Sequence, residues 1–157
     1  MAPVIFHRRA TAQQVEEDLL LAPAFDEHGL LPCVATDADS GEVLMLGWMD
    51  RAALKATLLT GEAHYWSRSR KETWRKGATS GLVQQVVEAR VDDDQDAMWL
   101  RVRVQGLGAS CHVGYRSCFY RAVPLVERAG GSLTFTEHHK VFDPREVYGD
   151  APIPTQL

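Results

Sequence analysis

Two groups of residues between positions 91 and 121 have the side chains and the spacing to bind metal ions. The first is the acidic run DDDQD at 92–96, which places four carboxylates in five positions. The second is CHVGYRSC at 111–118, in which Cys111 and Cys118 enclose His112. Carboxylate oxygens suit hard ions such as Mg²⁺, whereas thiolates suit softer ions such as Zn²⁺. Their closeness in the chain raises the question of whether both groups build one site.

The acidic run lies between two predicted strands, LVQQVVEARV at 82–91 and AMWLRVRVQ at 97–105, at or near a hairpin end. Alternate side chains of an extended chain share a face, so we expect Asp92, Asp94 and Asp96 to point one way. Asp93 and Gln95 then point the other way. Three carboxylates on one face indicate a magnesium site, but hairpin turns rich in Asp are also common without a metal. Spacing alone favours neither interpretation.

The cysteine pair is the stronger indication of a metal site. Gly114 and Ser117 suit a loop that bends back and brings Cys111 and Cys118 together. A Cys-x6-Cys pair is not a standard zinc-finger spacing, so two buried core cysteines remain the alternative. The chain has three cysteines, an odd number that fits a reducing compartment better than a disulfide framework. Their thiols are then free to bind a metal.

A third polar segment, HYWSRSRKETWRKGATSG at 64–81, concentrates hydrogen-bond donors suited to phosphate. It lacks both the P-loop spacing and the glycine pattern of dinucleotide folds, so no motif supports ATP or NAD binding. A polar surface loop is the alternative interpretation, and Trp66 is also a candidate for the core or a dimer interface. The candidate substrate- and phosphate-binding residues of this segment are Trp66, Ser67, Arg68, Ser69, Arg70, Lys76, Thr79 and Ser80.

The rest of the chain must form a domain that positions these groups. A length of 157 residues with 45% hydrophobic and 24% charged side chains predicts one ordinary globular domain, 1–157. A capping box at Thr11 predicts a helix that ends at Pro23. Turn residues at 39–41 predict a hairpin whose first strand holds Cys33, and an N-cap at Asp50 predicts a helix reaching Gly61.

The C-terminal part, 122–157, is expected to form a hairpin and a tail. The hairpin would pair 119–127 with 132–137 around Gly130 and Gly131, and a short helix would begin at Pro144. The predicted fold class is therefore α+β, a small mixed domain of antiparallel hairpins with one or two short helices.

Charge and hydropathy exclude several classes of protein. The net charge is −4 and the pI is about 5.8, which gives no basic face for nucleic acid. No apolar run approaches the roughly 20 residues of a membrane span. The first residues lack a basic region followed by an apolar one, so no secretory signal is expected and the protein is predicted to be cytoplasmic.

Three stretches of the chain resemble phosphoribosyl-AMP cyclohydrolases. They are LMLGWMDRAALKATLLTGEAHYWSRSRKETWRKGATSG, VDDDQDAMWLRV and GASCHVGYRSCFYR, and the likeness runs in order from about residue 30 to residue 121. The resemblance implies a small α+β homodimer with active sites shared between subunits and with zinc and magnesium as cofactors. It also implies hydrolysis of the N1–C6 bond of the adenine ring of phosphoribosyl-AMP, a step of histidine biosynthesis.

The same resemblance implies roles for individual residues. It makes Asp92, Asp94 and Asp96 magnesium ligands and makes the two thiols Cys111 and Cys118 zinc ligands. The family's third zinc thiolate lies between the first two aspartates, a position that Asp93 occupies here. A carboxylate is a harder ligand than a thiolate but can bind zinc, so Asp93 is the expected third ligand.

His112, next to a ligand, is the candidate general base or acid. The 36 residues after Arg121 are too few for the pyrophosphohydrolase domain that is fused to some members, so one activity is expected. A closed structural zinc module is one alternative, but such a module does not need the cationic segment at 68–80. A zinc nucleotide deaminase is another, but its H-x-E and P-C-x-x-C signature is missing.

Overall fold

A six-stranded mixed sheet forms the centre of the protein, whose computed structural model describes residues 2–125, 131–155 and 157. The strands are ordered β4-β3-β2-β1-β6-β5, and a separate pair joins β7 and β8. The elements are α1 (Ala12–Glu17), β1 (Leu30–Asp37), β2 (Val43–Asp50), α2 (Arg51–Thr60), β3 (His64–Ser67), β4 (Glu72–Arg75), β5 (Gln84–Val91), β6 (Met98–Val104), β7 (Arg121–Ala122), β8 (Thr134–Phe135) and α3 (Pro144–Tyr148).

Two hairpins predicted from the sequence are confirmed, and they join through a parallel strand pair. β1 pairs with β2 and β5 pairs with β6, both antiparallel. β1 and β6 then run parallel, with Cys33 opposite Met98, so the expectation of antiparallel hairpins alone is wrong here. Alternate residues of both strands are buried on one side of the sheet: Leu31, Cys33 and Ala35 of β1, and Met98, Leu100 and Val102 of β6. A shift of the register by one residue would expose one of these two sets, so this pattern fixes the strand pairing.

The helix α2 covers the buried face of this sheet. Its N-cap Asp50 accepts a hydrogen bond from the backbone N–H of Ala53 at 2.8 Å, and Gly61 ends it with a φ of 69°. Leu54 packs, fully buried, among Met45 and the other core residues. Both predicted ends of this helix are confirmed, because a cap and a left-handed glycine are local signals.

The N-terminal helix is shorter than predicted. Thr11 caps α1 by accepting a hydrogen bond from the N–H of Gln14 at 3.0 Å, but the helix ends at Glu17 instead of reaching Pro23. The side chain of Asp18 takes the N–H of Leu19 at 2.7 Å, which competes with helical bonding. Leu19 is consequently 99% exposed and does not belong to a buried helix face.

The segment 64–81 is not only a loop, because it contains the hairpin of β3 and β4. Polar residues obscure the alternation of apolar side chains that usually indicates a strand. Tyr65 and Trp74 nevertheless pair across the two strands, with ring centroids 5.6 Å apart. The C-terminal hairpin is confirmed only as two-residue strands, and Gly130 of its predicted turn lies outside the described residues. α3 begins at Pro144 as predicted, which makes three short helices rather than two among the described residues. None of them is long and apolar enough to cross a membrane.

Candidate active site

The acidic run forms the turn between β5 and β6, and three of its carboxylates meet there. Asp92, Asp94 and Asp96 each offer an oxygen within 4.8 Å of the others, and all three residues are exposed. The expected strand alternation is not the cause, because residues 92–97 are turn and not strand. Gln95 has a φ of 56° instead, and this backbone reversal brings the carboxylates to one side. Three close oxygen ligands fit a hard divalent cation such as Mg²⁺.

The electrostatics of this turn agree with a cation site. A hydrogen bond with Asp92, together with desolvation and the negative charges of Asp92 and Asp94, raises the pKa of Asp96 from 3.8 to about 6. One oxygen of Asp92 also accepts the backbone N–H groups of Asp96 at 3.0 Å and Ala97 at 3.1 Å. The carboxylates are thus held together against their mutual repulsion, and a bound divalent cation would relieve that repulsion.

The two loop thiols lie close enough to influence each other's protonation. The thiol group of Cys118 interacts with that of Cys111, and this interaction is the main reason that the pKa of Cys111 falls to about 6. The same interaction raises the pKa of Cys118. The N–H of Cys118 donates to the carbonyl of Leu44 at 2.7 Å, which ties the loop to the start of β2. A pair of neighbouring thiols, one of them with a lowered pKa, fits a soft metal ion.

A buried polar network supports the thiol pair, and sequence patterns did not reveal it. Lys76 is 8% exposed, and its ammonium group donates to the carbonyl of Ser110 at 2.6 Å. Gln84 donates to the hydroxyl of Ser110 at 3.2 Å and accepts the hydroxyl of Tyr65 at 2.6 Å. Burial lowers the pKa of Lys76, while the nearby thiolates oppose this shift. Neither a hydrophobic periodicity nor a sequence motif distinguishes these residues, because they meet only in the folded protein.

His112 follows the first thiol and is half-buried. Its Nε2 atom is buried and has no hydrogen-bond partner within the described part of the chain. Burial lowers the pKa of this imidazole, and the charge of Lys76 lowers it further. The side chain is therefore neutral at pH 7, with a nitrogen that can accept or donate a proton.

The candidate phosphate-binding residues fall into separate places. Ser67 lies at the end of β3, where its hydroxyl lies 3.3 Å from that of Ser69 and accepts the N–H of Arg70 at 3.2 Å. The guanidinium group of Arg68 lies 5.0 Å from the ring centroid of Trp48. All of these are close to the β3–β4 turn.

The other candidates of this segment lie elsewhere. Thr79 and Ser80 lie on the turn after β4, where Ser80 accepts the N–H of Leu82 at 3.2 Å. Lys76 points inwards towards Ser110, away from the exposed donors. Trp66 lies on β3 opposite Trp48 of β2.

Asp93 does not reach the thiols of its own chain. The acidic turn precedes Met98, which lies level with Cys33, whereas the loop thiols are tied to Leu44, near the level of Thr36. Cys33 and Thr36 are three residues apart on β1, so the acidic turn and the thiols are separated by about 10 Å along the strand direction. They are also separated by about 10 Å across the sheet, because β1 lies between β2 and β6. Among the described residues, the only group of three or more potential metal-binding side chains is the aspartate cluster.

Cys33 is not a substitute ligand. It is fully buried in the core, and burial raises its pKa to about 12. A neutral thiol enclosed by apolar side chains has neither the charge nor the access that zinc binding requires. The prediction that Cys33 is a core residue is confirmed.

One face of the sheet carries apolar side chains that are at least partly exposed. Leu46 is 52% exposed, and its β1 partner Val34 is only half-buried. Trp48, Trp66 and Trp99 lie on the same face by their strand pairing and belong to neither hydrophobic cluster found among the described residues. We call these five residues the open face. Helix α2 packs on the opposite side, against Met45 and Met49.

The fold and these groups together define a small α+β protein with a carboxylate cluster and a thiol pair at separate places on one sheet. A profile of the family described as phosphoribosyl-AMP cyclohydrolase matches residues 45–120. A phosphoribosyl-AMP cyclohydrolase of Nitrobacter winogradskyi is 54% identical over 138 residues, which cover 88% of this chain and 94% of the relative. The chain belongs to the phosphoribosyl-AMP cyclohydrolase family.

Other relatives agree in name and in coverage. A phosphoribosyl-AMP cyclohydrolase of Bradyrhizobium diazoefficiens is 52% identical, with 88% of this chain and 97% of the relative aligned. One of Rhodopseudomonas palustris strain BisA53 is 51% identical, with 88% and 94% aligned. The resemblance seen in the three sequence stretches is therefore confirmed at the level of the family.

Proposed function

We propose that this chain hydrolyses the N1–C6 bond of the adenine ring of phosphoribosyl-AMP and so acts in histidine biosynthesis. The observation that carries the proposal is the thiol pair with its adjacent histidine, within a chain that shares half its residues with named cyclohydrolases along nearly its full length. The product is the ring-opened formimino-carboxamide ribotide. We also propose a cytoplasmic location, since all three cysteines are free thiols.

Two metal sites follow from the same proposal. Asp92, Asp94 and Asp96 would hold magnesium, and their mutual distances support this assignment. Cys111 and Cys118 would hold zinc, which when bound supplies Lewis acidity that makes water nucleophilic near neutral pH. The third protein ligand of zinc would be an Asp93 carboxylate.

The chemistry needs one proton acceptor and one proton donor near adenine C6. Addition of water at C6 releases a proton, and cleavage of the bond to N1 requires a proton on that nitrogen. His112 suits both steps, because its imidazole is neutral at pH 7 and its Nε2 atom has no partner within the described residues. Arg68 and the hydroxyl groups of Ser67 and Ser69 suit the binding of a substrate phosphate.

The zinc site would be completed by a second copy of the chain. Asp93 and the thiols of one chain are too far apart to share an ion, and the open face is apolar enough to pack against a partner. A homodimer in which the Asp93 carboxylate of one subunit reaches the thiol pair of the other would satisfy both observations. Each dimer would then contain two identical active sites.

A mixing experiment tests this arrangement. Asp93→Ala and Cys118→Ser are each expected to be inactive alone, because each removes one zinc ligand from both sites of its homodimer. After unfolding and refolding an equal mixture, half the dimers are heterodimers with one intact site of two. Activity should therefore return to about one quarter of the parent value. The assay is the absorbance change on ring opening of phosphoribosyl-AMP.

The matched control mixes Cys111→Ser with Cys118→Ser. These two ligands belong to the same chain, so every site in this mixture lacks a thiol and no activity should return. The shared site would be refuted if activity returned in the control mixture, or if no activity returned in the mixture of Asp93→Ala with Cys118→Ser. Full activity of Asp93→Ala alone would show that Asp93 is not a ligand.

A further inference from the structure

The N-terminal segment 7–24 forms hydrogen bonds with the acidic turn, and Gln95 makes most of them. We infer that Gln95 is a positioning residue, which anchors the turn to this segment and so fixes the mutual placement of Asp92, Asp94 and Asp96. The inference rests on the proposed magnesium site at these carboxylates. It assigns a role to a residue that touches neither metal nor substrate, and also to the N-terminal segment.

Gln95 is an exception within a polar turn, since it is only 4% exposed between two exposed aspartates. Its amide nitrogen donates to the carbonyls of Val15 at 2.9 Å and Leu20 at 3.2 Å. Its amide oxygen accepts the N–H of Ala22 at 2.8 Å, and its backbone carbonyl accepts the N–H of Ala24 at 2.8 Å. One side chain thus satisfies three backbone groups, one within α1 and two in the segment that follows this helix.

A second contact ties the same segment to the next residue of the turn. Arg9 donates to the carbonyl of Asp94 at 2.7 Å and also to the carbonyl of Ala22. The turn is therefore bound at two successive residues, 94 and 95, by groups more than 70 positions away in sequence. Contacts of such separation form only when the N-terminal segment is docked.

The backbone of Gln95 explains why an anchor is needed. Its φ of 56° lies in the left-handed region, which is unfavourable for a residue with a side chain. The turn also gathers three carboxylates that repel one another before a cation arrives. Four hydrogen bonds between Gln95 and segment 7–24 hold the strained conformation and with it the mutual placement of the three carboxylates.

The docked segment also shapes the space beside the carboxylates. A cavity of about 280 Å³ lies next to Asp96, and residues 24–26 form one of its walls. Leu30 and Pro32 of β1 also line it. Ala24, the last residue of the segment, therefore belongs both to the contacts with the turn and to the lining of this cavity.

The test uses direct metal binding to the full-length, chelator-treated protein, with Mn²⁺ as a paramagnetic probe of the magnesium site. Gln95→Gly keeps the positive φ accessible and removes only the side-chain contacts. Loss of a residue that orients metal ligands typically weakens affinity by about 10- to 100-fold, and that increase in the Mn²⁺ Kd is expected here. Zinc per chain, measured on the purified protein before the chelator step, should stay at the parent value.

Arg9→Ala is the second variant and keeps the proposal testable if Gln95→Gly does not fold. It should raise the Mn²⁺ Kd in the same direction, and Arg8→Ala is its matched control. Arg8 is an exposed neighbour of equal charge whose side chain makes no hydrogen bond to any described residue. A similar change in Kd for Arg8→Ala and Arg9→Ala would mean that the effect comes from charge alone, and the inference would fail.

Three results separate the possibilities. A raised Kd with a magnesium requirement raised by the same factor, and with kcat restored at saturating magnesium, supports positioning. A lowered Tm with an unchanged Kd shows that Gln95 is merely structural and overturns the inference. If Asp94→Asn binds Mn²⁺ as tightly as the parent, the magnesium assignment itself is wrong, and the positioning role falls with it.

Discussion

The loop that carries the two thiols depends on a glycine that lies against the C-terminal segment. Gly114 has a φ of 107°, and its carbonyl accepts the N–H of Val141 at 2.7 Å. A Cβ atom at this position would overlap the backbone carbonyl oxygen of Phe142. The Gly114→Ala substitution therefore combines backbone strain with a clash that no side-chain rotation can relieve.

The expected cost can be divided with a matched control. Gly108 also has a positive φ, 78°, but a Cβ there would meet nothing within 4 Å. Gly108→Ala should therefore show only the conformational cost, about 1–2 kcal/mol. Gly114→Ala should add about 1–3 kcal/mol for overpacking, for a total of about 2–5 kcal/mol.

Urea unfolding followed by tryptophan fluorescence measures both free energies. Zinc per chain after mild dialysis against a chelator is the second measurement, and it should fall in Gly114→Ala only, because the clash displaces the loop between the thiols. Equal losses of stability in the two variants would refute the reasoning, since the contact with Phe142 would then contribute nothing. If Gly114→Ala is destabilised but keeps its zinc, the geometry of the thiol pair does not depend on the contact with the C-terminal segment.

Three further outcomes are expected. Tyr65→Phe should lower the free energy of unfolding by about 1–3 kcal/mol, since Gln84 keeps a buried oxygen without a donor; urea unfolding measures this. Cys33→Ser should leave zinc per chain unchanged, whereas Cys118→Ser should remove it, as metal analysis will show. In metal-free protein the raised pKa of Asp96 means that stability falls as pH rises from 3.8 to about 6. Asp96→Asn should reduce that fall in pH-dependent urea titrations.

The elements that sequence analysis placed well carry their signals locally. Helix α2 lies between an N-cap at Asp50 and a left-handed Gly61, and both are determined by residues within one turn. The β1–β2 hairpin likewise follows from turn residues at 39–41 and flanking apolar strands. Such features can be predicted because neither depends on a distant partner.

The elements that were missed depend on distant contacts. The early end of α1 has a local cause in Asp18 and a distant one in Gln95, which donates to the carbonyl of Val15, 80 positions away; only the first can be seen in the local sequence. The inward orientation of Lys76 likewise depends on Ser110, 34 positions later. A lysine in a polar segment is ordinarily exposed, so the sequence alone favoured grouping it with the phosphate donors.

The candidate site shows the same division between local and distant causes. Sequence analysis grouped Asp92, Asp94 and Asp96 by the alternation of side chains along a strand. In the structure the same three carboxylates lie close together on a turn, at which Gln95 has a positive φ. The grouping was right and its reason was wrong. The two thiols meet as expected, since Gly114 and the short loop between them are local features.

The separation of the acidic turn from the thiol pair has a geometric consequence for the proposed dimer. In an interface with twofold symmetry, a contact from residue i to residue j implies the contact from j to i. One rotation that brings Asp93 to the partner's thiol pair therefore builds both active sites together. In the proposed dimer the open face would provide the apolar interface, with the exposed Leu46 among its residues. Burial of this face and completion of the two zinc sites would then be a single event, so a folded monomer would lack a complete zinc site.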